Sequence, residues 1–285
     1  YDLSGQIIDR YDSFILRAGG NDNLFGGERN TLLRDALIHS LACRISNIAA
    51  QAYRPVVVYI NGDYFGVYNL RDDTDNDYLE QHYGIPKEEV AIIAYGHENG
   101  NWFYKIDEGT QSDLNDYQNM LSWIASNNMA SASNYKKACE MLDTDNFIKY
   151  IAVNVYANNR DWPHNNVRAW KYTGTANSKY GQDGKWRFIL KDIDYSWGII
   201  NSPGATENVI AEETSHSEDV LCGRAGEISA AFASLMQNAQ FRKDFLEFMD
   251  EMINNYFSEE TACAMITEMK NAMAKEYSHI YTNVW

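Results

Sequence analysis

A helix-like segment ending near residue 156 runs directly into Asn158-Asn159-Arg160-Asp161-Trp162-Pro163-His164-Asn165-Asn166. Two strand-like runs follow, residues 167–172 and 186–191, and the second ends in Asp192-Ile193-Asp194. This order constrains the fold more than any other feature. Pro163 stops the helix from continuing, and the sequence around Gly174, Gly181 and Gly184 joins the two strands. The chain then returns on itself, so that the polar loop before the first strand and the acidic end of the second lie side by side. Four asparagines in a loop flanked by hydrophobic strands point to an organised polar site rather than a linker.

The rest of the chain frames that segment. Residues 14–17 (FILR) read as a strand entering Ala18-Gly19-Gly20-Asn21-Asp22, where the glycines permit a tight turn. Asn30 and Thr31 offer an N-cap for a helix expected to run to about residue 50, with Leu33, Leu37, Leu41, Ile45 and Ile48 as its apolar stripe and Arg34 and Asp35 off that stripe. Residues 54–60 and 64–70 are the clearest strands. Asn61-Gly62 between them supplies the positive φ that a tight hairpin wants. A helix over 75–83, a strand over 90–95 and helices over 112–126, 134–142 and 145–156 follow, the last capped by Thr144 or Asp145. Residues 227–280 are expected to be helical, with Phe241, Phe245, Phe248, Met252 and Met265 as core candidates. With only four prolines and no low-complexity block, the 285 residues read as one domain. The fold class is α+β and two-lobed, with a β-rich part over about 1–95 and a helical part over about 96–285 that carries the two polar loops.

Net charge narrows the partners. Forty acidic against 24 basic residues give −16, which disfavours nucleic acid and anionic membrane as partners. It suits cations and basic substrates, though a solvated acidic surface accounts for it as well. No apolar run reaches membrane-spanning length. The four cysteines, Cys43, Cys139, Cys222 and Cys263, have no Cys-x-x-Cys spacing. They read as buried free thiols rather than a zinc site, with one or two disulfides open to an exported protein. The sequence begins at Tyr1 with neither Met nor a signal peptide, so a trimmed or processed piece is expected.

An Asp with an Asn five residues on, then a strand pair ending in another Asp, is the layout of a protein-kinase catalytic loop and metal loop. Asp161 is the candidate base that orients and deprotonates a hydroxyl; alone it would read as a turn or capping residue. Asn166 offers an amide oxygen to a metal, against the reading of a hairpin-entry Asn bonded to its own backbone. Asp192 and Asp194 fall on one side if their strand continues. Two like charges together call for a cation, so at least one of them is read as a metal ligand. Tyr64, Tyr68, Trp162, Trp170 and Trp186 are candidates for a wall that stacks a purine, although strand aromatics are ordinarily core. Trp186 is the best of them because its strand leads to the acidic pair. Arg17, Arg34 and Arg71 are candidate phosphate cations, each equally able to be a structural ion pair. His164 reads as a solvated loop residue. No nucleophile elbow and no Walker-type loop occurs.

Five segments together resemble the spore-coat protein H (CotH) kinase-like family: FILRAGGND (14–22), TLLRDA (31–36), YRPVVVYINGDYFGVYNLRDD (53–73), NVYANNRDWPHNNVRAW (154–170) and KWRFILKDIDYSWG (185–198). They cover most of residues 11–200. The resemblance implies an atypical protein-kinase fold, ATP with Mg²⁺ or Mn²⁺, and phosphate transfer to Ser/Thr of secreted, surface or coat proteins, hence an extracellular or cell-surface address. It implies Asp161 as catalytic Asp, Asn166 and Asp192 as metal ligands with Asp194 assisting, and Trp186 as the adenine-stacking residue. Family members carry β-strand sequence upstream of FILR, so the nucleotide lobe is expected to be short at its N-terminus. They commonly have Arg-Glu where this chain has Arg71-Asp72, a shorter arm for anchoring a phosphate-binding cation.

The rival reading is a non-catalytic, pseudokinase-like surface module that binds a protein or carbohydrate partner. A metal-dependent hydrolase built on Asp161, Asp192 and Asp194 is the third.

Overall fold

The computed structural model describes residues 5–23, 27–199, 208–214 and 227–283. Cys222 and most of the polar loop after Gly198 lie outside them.

The first sheet is antiparallel with order β1-β3-β2, where β1 is Phe14–Arg17, β2 Tyr53–Ile60 and β3 Asp63–Asp72. The β2–β3 turn is built as its sequence demands, with Asn61 at φ 53 and Gly62 at φ 92. The register slips between Val58 and Tyr59, leaving Phe65 as the extra residue of a bulge. Ile15 lies opposite Arg71 and Arg17 opposite Asn69, so both arginines share one face of this sheet. That face meets helix α1 (Arg34–Ala42) and the long C-terminal helix α9 (Glu259–Asn283), which packs on α1 and β2.

The second sheet is antiparallel with order β5-β4-β6-β7: β4 is Val90–Glu98, β5 Asn101–Glu108, β6 Val167–Tyr172 and β7 Arg187–Ile189. β5 is absent from the sequence expectation, although Asn99-Gly100 repeats the Asn-Gly turn signal and takes φ of 51 and 83. Because β4 pairs with β6, the division placed near residue 95 falls inside a sheet. One face packs on helices α3 (Gln111–Ser126) and α5 (Thr144–Ala157) in the main core. The other meets helix α2 (Asn76–Tyr83) through Tyr78, Leu79, Trp170 and Ile189. Helices α4 (Ala132–Met141), α6 (Val209–Thr214), α7 (Glu227–Leu235) and α8 (Ala239–Glu251) complete the helical part. Phe241, Phe245, Phe248 and Met252 are buried as expected and Met265 is partly so.

Two helix boundaries differ from the expectation. α1 ends at Ala42, not near 50, because the chain extends to lie beside β7, where Leu190 N–H donates to the Ala49 carbonyl at 3.0 Å. Ile45 and Ile48 are still buried. Its start is capped from a distance by Asp22, whose carboxylate accepts from the backbone N–H of Thr31 (2.7 Å) and Arg34 (3.0 Å). α5 is capped by Asp143, which accepts from Asn146 N–H at 3.0 Å. The three described cysteines are free. Cys263 is exposed and Cys139 half-buried, against the expectation of buried thiols, whereas Cys43, exposed as a residue, turns its thiol to the Ala50 carbonyl, where burial pushes it up to about 11.

Candidate active site

The helix α5 ends with Asn158 in the left-handed region, which turns the chain out of the helix and into the loop. The loop is anchored behind and beside Asp161. Trp162 is buried and its indole N–H donates to the Tyr150 hydroxyl at 2.7 Å. Asn159, also buried, donates to Asn154 Oδ1 and accepts from Asp161 N–H at 3.2 Å. With those fixed, Asp161 Oδ2 accepts from the side-chain amides of Asn165 (2.9 Å) and Asn166 (2.8 Å). The Asp161 side chain keeps 25% of its exposure. One carboxylate oxygen, Oδ2, is thus held by two neutral donors, and Oδ1 takes neither of them. Asn166 gives its N–H₂ to Asp161, which leaves its amide oxygen for another partner.

His164 is buried rather than solvated. Its Nε2 stands 3.5 Å from Asp161 Oδ1 and its ring meets Trp102 edge-on.

The acidic loop lies alongside, joined by Arg160 N–H to the Tyr195 carbonyl at 3.0 Å. β7 ends at Ile189 and Asp192 takes φ 49, so strand alternation does not continue. The two acids nevertheless converge, on a protein cation. Arg17 Nη2 bonds both Asp192 Oδ1 and Asp194 Oδ2, the latter at 2.8 Å. Asp194 is sealed from solvent and also accepts from Asn21 N–H at 2.7 Å. Burial, and next the charge of Asp192, push its carboxyl up to about 7 against the pull of Arg17. Gly20, at φ 56, makes this approach feasible, since a Cβ there would run into the Asp194 carboxylate and the Arg17 guanidinium.

Behind Arg17 stands Asp35, buried in the first turn of α1. Its Oδ2 pairs with Arg71 Nη1 at 2.5 Å and lies 3.6 Å from Arg17 Nε, and its Oδ1 accepts from Ile193 N–H at 2.9 Å. Burial alone would raise this carboxyl. His39, Arg71 and Arg17 more than reverse that and hold it well below the usual carboxylate range. His39 is itself pushed below its ordinary value by burial, so the two arginines carry the pairing. One buried acid therefore ties β1, β3 and α1 to the acidic loop.

Several expected site residues stand elsewhere. Trp186 is 1% exposed; it packs edge-on against Tyr117 and its N–H donates to Asp116 at 2.9 Å. An indole enclosed in this way has no face for a base, which corrects the stacking expectation. Trp162 and Trp170 are likewise core. Tyr68 stacks on Phe65 and, by the β3 alternation, lies on the face of the first sheet opposite Arg71 and Asn69. It points away from the acidic loop. Arg34 is spent on Asp22 (2.5 Å) and the Arg29 carbonyl (2.7 Å), a structural pair. Arg71 is buried against Asp35 and donates to the Ala52 carbonyl. It is anchored by Asp35 and not by Asp72, whose carboxylate caps Ala52 N–H. Of the sequence-proposed nucleotide set, only Arg17 reaches the acidic loop.

Among the described residues, no three His, Cys, Asp or Glu side chains gather as a ready-made metal cage. Asp192 and Asp194 meet on Arg17 and Asn166 stands in the adjoining loop; the donor atoms these three offer are all oxygen. They suit a hard divalent cation that keeps several waters. A buried acid beside a second acid is a pair whose repulsion added positive charge relieves.

The chain combines an α+β fold and a helical C-terminal part with a helix-delivered Asp/Asn loop beside an acidic loop. The family described as CotH kinase protein matches residues 1–283, and the chain belongs to that family. No curated protein matches the sequence. No helix among the described residues is long and apolar enough to cross a membrane.

Proposed function

We propose that this chain is a metal-dependent protein kinase that transfers the γ-phosphate of ATP to Ser or Thr hydroxyls of secreted, surface or coat proteins. The observation that carries the reading is the direct bond between Asp161 and Asn166 in a loop tied to the Asp192–Asp194 segment. Asp161 Oδ1 accepts the proton of the acceptor hydroxyl, while its other oxygen is held by two amides that keep the carboxylate aimed. Asp192, Asp194 and Asn166 would hold Mg²⁺ or Mn²⁺. When bound, the metal neutralises charge on the triphosphate. Arg17 shares Asp192 and Asp194 with that cation, so it is positioned to meet phosphate oxygens when it leaves them.

One observation favours a second reading, a non-catalytic binding module: the acids are already bridged by Arg17, and Trp186 is closed to a base. A single experiment separates the two. Radiolabelled ATP with Mg²⁺ or Mn²⁺ is expected to label protein with wild type and to fail with Asp161→Ala and Asp192→Ala. Equal labelling by all three proteins removes the kinase reading. No labelling, together with no heat on titrating ATP and metal into wild type, removes the kinase reading and favours the binding module.

A further inference from the structure

Two carboxamides hold Asp161 Oδ2, and neither touches Oδ1, the oxygen given to the acceptor hydroxyl. One side chain does stand beside Oδ1. His164 Nε2 lies 3.5 Å from it, on a ring that is 3% exposed.

The β4–β5 hairpin helps to enclose that ring. Trp102 sits opposite His97 across the hairpin, lies against the His97 ring at 4.7 Å and meets the His164 ring edge-on at 5.4 Å. The hairpin also bonds the loop directly, since His97 N–H donates to Asn165 Oδ1 at 3.1 Å. A Cβ on Gly96 would stand 2.9 Å from that oxygen, so the glycine leaves room for the approach.

The two ring nitrogens decide what His164 can do. Nδ1 is buried and has no hydrogen-bond partner among the described residues. A neutral imidazole carries one N–H and one lone pair. With the proton on Nδ1, a buried N–H goes unmet and the Nε2 lone pair confronts a carboxylate oxygen. With the proton on Nε2, the carboxylate is offered a donor and only a buried lone pair lacks a partner. The second tautomer is favoured on both counts. Enclosed Nδ1 cannot reach an acceptor hydroxyl and Nε2 is taken up by Asp161, so His164 is not itself the base.

We propose that His164 is a positioning residue for Asp161, with its Nε2–H holding Oδ1. This deepens the kinase reading and rests on it. A donor on each oxygen keeps the carboxylate from turning, and Oδ1 is left with one lone pair for the acceptor hydroxyl. Hydrogen bonds at such sites are often long before substrate binds and tighten in the complex, which is how a 3.5 Å contact serves.

Two measurements test this. The first is nitrogen NMR of protein labelled with ¹⁵N-histidine, the His164 ring being assigned by its loss in His164→Gln. The proton is expected on Nε2, and the ring signal is expected to move in Asp161→Asn. A proton on Nδ1, or a signal that Asp161→Asn leaves in place, overturns the proposal without touching the kinase reading. The second is the rate of protein labelling by radiolabelled ATP with Mg²⁺, alongside melting curves. His164→Leu is expected to lower the rate at saturating ATP by about tenfold, as loss of a hydrogen bond to a charged group does, and to leave the half-saturating ATP concentration unchanged. His164→Gln, whose amide reaches the Nε2 position, is expected to recover most of the rate, and the shorter His164→Asn is not. A wild-type rate in His164→Leu, or equal rates in His164→Gln and His164→Leu, overturns the proposal while the kinase reading stands on Asp161→Ala. If wild type labels nothing, both fall.

Discussion

The two loops of the candidate site sit side by side and are held by opposite kinds of force. Around Asp161 the hydrogen-bond donors are neutral, two carboxamides on one oxygen, an indole–phenol bond at Trp162 and a backbone bond to Tyr195, with His164 Nε2 3.5 Å from the other oxygen. Around Asp192 and Asp194 the partners are charged, two arginines and a buried Asp35, with a glycine that lets them close in. Neutral donors aim a carboxylate without bringing a second charge to it. Charged bonds in a buried place couple geometry to protonation and to any cation that arrives. A base needs the first property and a metal loop needs the second, so the difference matches the roles proposed for the two loops.

The comparison breaks most easily at Asp35. Asp35→Asn leaves Arg71 buried without a counter-charge and removes the negative charge that Arg17 also faces, keeping one oxygen for either Arg71 or Ile193 N–H but not for both. Loss of one partner of a buried pair costs about 3–5 kcal/mol. Urea unfolding is expected to show a loss of that size, and limited proteolysis is expected to open the segment around Ile193 before the segment around Asp161. Simultaneous opening would show that the two loops form one mechanical unit, and the contrast drawn between them would be lost.

How much of this was legible in the sequence depended on how far apart the partners lie. Asp161 and Asn166 are five residues apart in one loop, so their pairing follows from local spacing. Asp35 is not legible in that way: it lies off the apolar stripe of its helix, and its partners are arginines from β1 and β3 that only sheet register brings together. Arg34 and Arg71 looked free because their acids, Asp22 and Asp35, belong to other segments. The Trp186 error was avoidable. Phe188 and Leu190 share its side of the strand and are core, so alternation already placed the indole inside. β5 was avoidable too, since Asn99-Gly100 carries the signal used correctly at Asn61-Gly62. The length of α1 was not, because its apolar spacing runs on through Ile45 and Ile48 while an unseen bond to β7 ends the helix.

Protonation sharpens the comparison next. Asp194 has a folded-state value near 7, above that of an unfolded aspartate. The folded protein therefore binds that proton more tightly. The contribution to stability is fully present below about pH 4 and is lost as pH rises through about 7. His39, pushed below its ordinary value, contributes a slope of the opposite sign near neutrality, and Asp35, held low, acts only in stronger acid. The difference between wild type and Asp194→Asn is thus the quantity to measure. Between pH 5 and pH 8 the variant is expected to gain on wild type, on the order of 2 kcal/mol. A constant difference across that range would mean that the acidic loop is no more pH-sensitive than its neighbour.

The smallest effect tests the neutral side. Asn165 donates to Asp161 and accepts from His97 N–H at 3.1 Å, so it joins the Asp161 loop to β4 through neutral bonds alone. Asn165→Ala removes both, but Asn166 still holds the same carboxylate oxygen and the His97 amide is exposed to water. A loss of about 1 kcal/mol is expected, constant between pH 5 and pH 8. If the rest of the site is as described, phosphoryl transfer falls in rate while ATP affinity holds, because the base is less well aimed and the acidic loop is untouched. A pH-dependent loss, or one that weakens ATP as much as it slows transfer, would place charge coupling in this loop as well, and the division of labour between the two would have to be abandoned.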